Sequence, residues 1–320
     1  MKKIAVLTSG GDAPGMNACI RATVRRALNR GLSISGIEKG FEGLIDNDFV
    51  EMKSSDVSNI IQRGGTILHS ARSERFFTEE GRAKAASNLK NHRIDGLVVI
   101  GGDGSFRGSD ALTVEHGIPV VGVPATIDND LWGTDLTIGY DTAVNTALEA
   151  IDKVRDTAAA HDRLFIIEVM GRSAGFIALE VGVGAGAEAV LIPETPTDLD
   201  AICAKVKDRI NRDRTSNILV VAEGDEAGNA FEIARKIEDI SGLKSRVTVL
   251  GHVQRGGSPT TADRVLASKL GWAAVDALLD GAWPCMVGEI DNEITKHPFA
   301  DSWTNRKQLD PLLIILSENL

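Results

Sequence analysis

Short β-branched runs at residues 4–7, 33–37, 97–100, 120–123, 164–169, 189–192, 218–222 and 246–250 alternate with longer amphipathic segments, and this alternation constrains the chain more than any other feature. It is the pattern of βαβ units on a parallel sheet, an α/β fold. Most of the runs end in a glycine or polar loop before a helix-like stretch. In open α/β sheets ligands sit at the carboxyl ends of the strands, so the loops that follow the runs are where chemistry is expected. No proline-rich or low-complexity linker divides the chain, and residues 140–161 offer one long crossing element.

The 320 residues suffice for one large or two ordinary domains, either with a substantial core. A net charge of −10, from 35 Lys and Arg against 45 Asp and Glu, argues against a nucleic-acid-binding surface, so an anionic ligand has to be met by local arginines. Cys19, Cys203 and Cys285 are far apart and in no Cys-x-x-Cys spacing, which supports neither a disulfide framework nor a zinc site and suits a reducing cytosol. The apolar run after Met1-Lys2-Lys3 breaks at Thr8, too early for a signal peptide, and no run approaches membrane-spanning length.

Three loops carry the chemistry. Thr8-Ser9-Gly10-Gly11-Asp12-Ala13-Pro14-Gly15-Met16-Asn17 joins the first strand to a helix whose N-terminus presents unpaired N–H groups; it reads as a phosphate cradle or as an ordinary strand-to-helix turn. Gly101-Gly102-Asp103-Gly104-Ser105 follows the run 97–100, and its aspartate can hold a hard cation or simply cap a helix. Pro124-Ala125-Thr126-Ile127-Asp128-Asn129-Asp130 sets two carboxylates and a hydroxyl on a tight turn, where Asp128 can serve as a general base or as an Asx-turn residue. Glycines that admit phosphates beside clustered carboxylates are the equipment of phosphoryl transfer. That reaction spreads charge over equatorial oxygens and calls for converging cations, for which Arg72 in Ser70-Ala71-Arg72 and Arg172 in Met170-Gly171-Arg172 are candidates. Either arginine can instead be only a solvated surface group.

These motifs, in this order and together with Gly251-His252-Val253-Gln254-Arg255-Gly256-Gly257-Ser258-Pro259, resemble the 6-phosphofructokinase family in its bacterial ATP-dependent branch. A Gly-Gly-Asp-Gly turn alone also suits lipid and NAD kinases, which would not explain the arginine-rich loops. The resemblance implies two similar three-layer α/β domains with mainly parallel sheets and the active site in the cleft between them. Residues 1–138 plus 251–305 would bind nucleotide and 139–250 plus 306–320 the sugar phosphate. It further implies phosphorylation of fructose 6-phosphate to fructose 1,6-bisphosphate in glycolysis, with ATP as donor and Mg²⁺, by a cytoplasmic homotetramer.

Residue by residue, the resemblance brings the backbone of Gly10 or Gly11 to the transferring phosphoryl group. It gives the cation to Asp103 with Asp130 as a second ligand, and lays Gly102, Gly104 and Ser105 along the nucleotide phosphates. Arg72 and Arg172 would contact the transferring phosphate, Ser73 would stand on the nucleotide side, and Asp128 would be the base beside Thr126 and Ile127. Met170, Gly171, Glu223, His252, Val253, Gln254 and Arg255 would meet the sugar phosphate. Arg163 and Arg246 would reach in from a neighbouring subunit.

Gly104 bears on the donor, because pyrophosphate users carry aspartate there, whose charge and bulk would meet a nucleotide α-phosphate. Ala125 stands where ATP users have glycine and pyrophosphate users lysine, and it adds only a methyl. Phe41 and Ser73 depart from the bacterial enzymes near the adenine site. A second anion site, for ADP or phosphoenolpyruvate as effector, is implied by Arg21 and Arg25 with Arg155, Glu188, Arg212 and Arg214, although Ser54 replaces an arginine common at such sites.

Overall fold

The apolar runs 4–7, 33–37, 97–100 and 120–123 become neighbouring parallel strands because both of their faces are covered. The computed structural model describes residues 1–159, 164–211 and 217–319. In it the chain forms two compact units, Met1–Ile127 with Leu131–Thr142 and Arg255–Lys307, and Asp128–Asp130 with Ala143–Gln254 and Gln308–Leu320. Arg163, Arg212 and Arg214 lie outside the described residues.

The first unit holds β1 (Lys3–Thr8), β2 (Ser33–Ile37), β3 (Phe49–Glu51), β4 (Gly96–Gly101), β5 (Val120–Pro124), β10 (Cys285–Ile290) and β11 (Glu293–His297) in one sheet ordered β11-β10-β5-β4-β1-β2-β3. Pairing is parallel except at the two edges, where β3 and β11 run antiparallel to their neighbours. These edge strands and β10 carry too little apolar periodicity to be read from the chain alone. Helices α1 (Met16–Asn29), α2 (Gly40–Asp46), α3 (Glu79–Asn91), α4 (Asp103–His116), α9 (Thr261–Leu279) and α10 (Asp301–Thr304) belong to this unit.

Alternation along the strands separates two apolar layers. Ala5, Leu7, Leu97, Val99 and Val120 join α3 and α4 through Leu89, Phe106 and Leu112. Ile4, Val6, Val98 and Val121, at the alternate positions, are fully buried as well. A Cβ at Gly122 would lie 2.4 Å from Phe106 and 2.6 Å from Phe299, so β5 needs glycine there to let the stacked ring pair approach the sheet.

The second unit has a parallel sheet ordered β7-β8-β6-β9, from β6 (Leu164–Val169), β7 (Ala189–Leu191), β8 (Asn217–Ala222) and β9 (Ser245–Val249). Helices α5 (Tyr140–Ala159), α6 (Phe176–Gly184), α7 (Leu199–Asn211), α8 (Ala230–Ser241) and α11 (Pro311–Asn319) complete the fold. Leu164, Ile166, Leu219 and Val221 pack with Val206 of α7 and Ile233 and Ile237 of α8. Asn229 and Glu232 form a reciprocal capping box at the start of α8.

The first turn of α5, where the chain leaves the first unit, is fastened by Asp263 of α9. Its carboxylate accepts hydrogen bonds from the Gly139 and Thr142 amides at 2.7 and 2.8 Å. Burial pushes the Asp263 carboxyl above the usual range, against the lowering effect of those bonds.

Candidate active site

In the first sheet β1 sits between β2 and β4, so successive connections leave in opposite directions and the order reverses between β1 and β4. A crevice opens beyond the strand ends at such a point, and the loops that emerge there are the two glycine motifs. They touch: the Ser9 amide donates to the Ile100 carbonyl at 2.9 Å, and a Cβ on Gly101 would lie 2.6 Å from the Ser9 carbonyl oxygen. Gly10 has φ of +87°, a left-handed conformation that disfavours other residues.

The loop bearing Arg72 is tied to the same place. The Ser70 hydroxyl donates to the Gly10 carbonyl, and Thr8 Oγ1 donates to the His69 carbonyl at 2.7 Å. Asn17 grips the preceding stretch, donating to the Arg63 and Gly64 carbonyls at 3.1 Å and accepting from the Ile67 amide at 2.8 Å. Arg72 itself is exposed. Arg255 also belongs here: its Nη1 donates to the Asp12 carbonyl at 3.2 Å, and a Cβ on Gly11 would lie 2.6 Å from that nitrogen. Bare backbone, a helix N-terminus and two arginines thus occur within one unit, a fit for a polyphosphate.

Asp103 opens α4 as its first helical residue, after Gly102. No atom lies within 4 Å of a Cβ built on Gly104, so the space beside the helix start is open. Among the described residues no group of three or more His, Cys, Asp or Glu could hold a metal by itself. Mg²⁺ at nucleotide sites takes one or two carboxylates and completes its shell with phosphate oxygens and water. The hard oxygens of half-exposed Asp103 beside open backbone fit that donor set.

The stretch after β5 is braced by the parallel bridge of Ala125 with Ile138 and by the Thr137 hydroxyl, which donates to the Thr126 carbonyl at 2.6 Å. Ala125 is buried. The boundary between units falls within this motif, leaving Thr126 and Ile127 in the first and Asp128, Asn129 and Asp130 in the second. Asn129 adopts the left-handed conformation, φ +53°, which takes the turn role and leaves the Asp128 side chain to other work.

In the second unit a chain of contacts joins the predicted residues. Arg172 Nε stands 3.3 Å from Asp128 Oδ2; the aspartate side chain is 1% exposed and the arginine side chain 55%. The Arg172 amide donates to Glu223 Oε1 at 2.7 Å. Arg172 has φ of +53°, strain of about 1–3 kcal/mol for a non-glycine residue. A Cβ on Gly224 would lie 1.9 Å from the Arg172 carbonyl oxygen. β6 and β8 are adjacent in this sheet, which places the loops after them, Met170 to Arg172 and Glu223, side by side.

Gln254 is fully buried, and its Oε1 accepts from the Met170 amide at 2.9 Å, so this side chain holds the loop. His252 and Val253 beside it are exposed, as is Arg246 on edge strand β9.

Phe41 and Ser73 are internal struts. Phe41 stacks on Phe76 at 4.0 Å, and Ser73 donates to Glu42, whose carboxyl that bond and Arg75 hold below the usual range. Of the effector candidates, Arg21 is half-buried on α1, where burial and then the Arg25 charge lower its pKa. Arg155 donates to the Ala185 carbonyl, and buried Glu188 pairs with Arg209 at 2.5 Å. Arg209 and the anchors Asn17 and Ser70 were not singled out in the sequence, because only the folded chain shows what they reach.

Residues 3–278 match the family model described as phosphofructokinase. The chain is 56% identical to ATP-dependent 6-phosphofructokinase 1 of Thermus thermophilus over all of its own length and 99% of that protein. It is 54% identical to the ATP-dependent 6-phosphofructokinase of Cytophaga hutchinsonii, over 100% of this chain and 98% of the other. Among solved structures, phosphofructokinase from Saccharomyces cerevisiae superposes with a TM-score of 0.90 at 36% identity, over 94% of this chain and 45% of that one. A pyrophosphate-dependent phosphofructokinase from Marinobacter aquaeolei, at 23% identity, gives a TM-score of 0.83 over 97% and 86% and attests the fold alone.

Proposed function

We propose that this chain, which belongs to the phosphofructokinase family, transfers the γ-phosphoryl group of ATP to the 1-hydroxyl of fructose 6-phosphate, giving fructose 1,6-bisphosphate and ADP. The observation that carries the reading is the buried Asp128 carboxylate beside half-exposed Arg172. A base and a cation on one loop pair are what an attacking hydroxyl and a transferring phosphoryl group require.

In the reading offered, Asp128 accepts the hydroxyl proton as the sugar oxygen attacks phosphorus. Arg172 and Arg72 neutralise charge that grows on the equatorial oxygens, and the Gly10 and Gly11 backbone lies against the same group. Gly102, Gly104 and Ser105 follow the donor phosphates, with Asp103, and Asp130 as its second, holding the cation. Mg²⁺ when bound neutralises phosphate charge and draws electron density from the bridging oxygen. Glu223 and the Met170–Gly171 backbone hold the sugar, with Gln254 keeping Met170 in place, while Arg246, His252 and Arg255 take the 6-phosphate.

Open space at Gly104 favours a nucleotide donor over pyrophosphate, and the Ala125 methyl is buried and brings no charge. With fructose 6-phosphate in a coupled assay, ATP should support turnover and pyrophosphate should not. Turnover with pyrophosphate alone would reverse the donor assignment; turnover with neither would leave a binding protein.

Among the described residues no helix is long and apolar enough to cross a membrane. We place the enzyme in the cytoplasm as a glycolytic homotetramer in which Arg163 and Arg246 serve the neighbouring subunit's site. We assign Arg21, Arg25, Arg155 and Glu188, together with Arg212 and Arg214 outside the described residues, to an effector site for ADP or phosphoenolpyruvate. Either effector should then shift the fructose 6-phosphate saturation curve, and Arg21→Ala with Arg25→Ala should abolish the shift. An effector response that survives the double substitution places regulation elsewhere.

A further inference from the structure

Asp103 is not alone at the start of α4. One turn along, Arg107 Nε donates to both Oδ1 and Oδ2 of Asp103 at 3.1 Å. The same guanidinium lies over the ring of Trp303 in α10, 4.7 Å from its centroid. An acid four residues before a base supports any helix, but helix support alone requires no aromatic platform. Here one edge of the planar group is fixed on the carboxylate and one face on the indole, an arrangement that suits arginine and not lysine.

The carboxylate so held is the one assigned above to the divalent cation, and the inference rests on that assignment. An oxygen that serves both Arg107 and a cation cannot serve both fully, and two positive centres on one carboxylate repel each other.

We propose that Arg107 is a positioning residue that occupies Asp103 in competition with the cation and thereby sets how strongly ATP affinity depends on Mg²⁺. It neutralises the carboxylate before the substrate arrives and yields it as the metal–nucleotide binds. Trp303 retains the released guanidinium nearby.

The quantity to measure is the ratio of ATP affinity in saturating Mg²⁺ to that in EDTA, by calorimetry on the intact enzyme without sugar phosphate. Exposed ion pairs have strengths that correspond to up to about fivefold in an equilibrium, so Arg107→Met should raise the ratio about three- to fivefold. Arg107→Lys, which keeps the charge but not the planar group held between Asp103 and Trp303, should raise the ratio less than Arg107→Met does. In an Asp103→Asn background, Arg107→Met should leave the ratio unmoved, a non-additivity that a merely structural role would not produce.

An unchanged ratio in Arg107→Met overturns the proposal. So does an equal effect of Arg107→Met with and without Asp103, which would place the guanidinium's action on the nucleotide itself. If Asp103→Asn alone leaves the ratio at the unmodified value, the cation assignment of Asp103 fails, and the proposal with it.

Discussion

Asp128→Asn should lower kcat by at least about 10²-fold, the usual loss when a positioned general base is removed, while leaving ATP affinity and the fold largely intact. The substitution keeps the size and planarity of the side chain and one oxygen to face Arg172 Nε, now 3.3 Å from Asp128 Oδ2. What it removes is the capacity to accept a proton. Arg172 is 55% exposed at its side chain, so water can solvate its charge once the carboxylate is gone, and the stability cost stays small.

Two readouts separate loss of the base from displacement of the arginine. If Asp128 acts on the proton, the kcat profile of the unmodified enzyme should show a low-pH limb, and that limb should flatten in the Asn variant. If it acts only by holding Arg172, the limb should persist at reduced amplitude, and Arg172→Lys should copy the defect. A near-normal kcat in Asp128→Asn would remove the base assignment outright.

What could be read along the chain divides on physical grounds. β4 and β5 were legible because every residue in them is buried, so that apolar runs bounded by glycine or proline had no other reading. β3 has three residues, and β11 has only exposed and half-buried positions at a sheet edge. Their pairing depends on neighbours distant in sequence, which no local pattern reports. Asp103 was visible as a carboxylate in a glycine motif, but its place as the first residue of α4, and the fixing of Arg107 between it and Trp303, required the packing of α10 against α4. Gln254 shows the converse. Its motif suggested a residue that meets substrate, and burial shows it bonded to the Met170 amide, so its contribution to a site passes through that loop.

Gly104→Asp should weaken ATP binding by at least about tenfold and leave fructose 6-phosphate affinity nearly unchanged. The helix itself gains: the position lies in the first turn of α4, where an acid is favourable by about 0.3–1 kcal/mol, and nothing within 4 Å obstructs a side chain there. Stability therefore cannot account for a lost substrate, and a thermal midpoint equal to or above the unmodified value is part of the expected result. The penalty falls on the ligand. A carboxylate about 4 Å from a phosphate costs about 4 kcal/mol at an effective dielectric near 20, reduced by solvent at this exposed position. Pyrophosphate lacks the adenosine-bearing phosphate that would occupy this space, so its weak binding should change less than that of ATP. Equal weakening of ATP and fructose 6-phosphate would trace the effect to disturbance of the fold, and unchanged ATP affinity would show that the donor phosphates run elsewhere than along the start of α4.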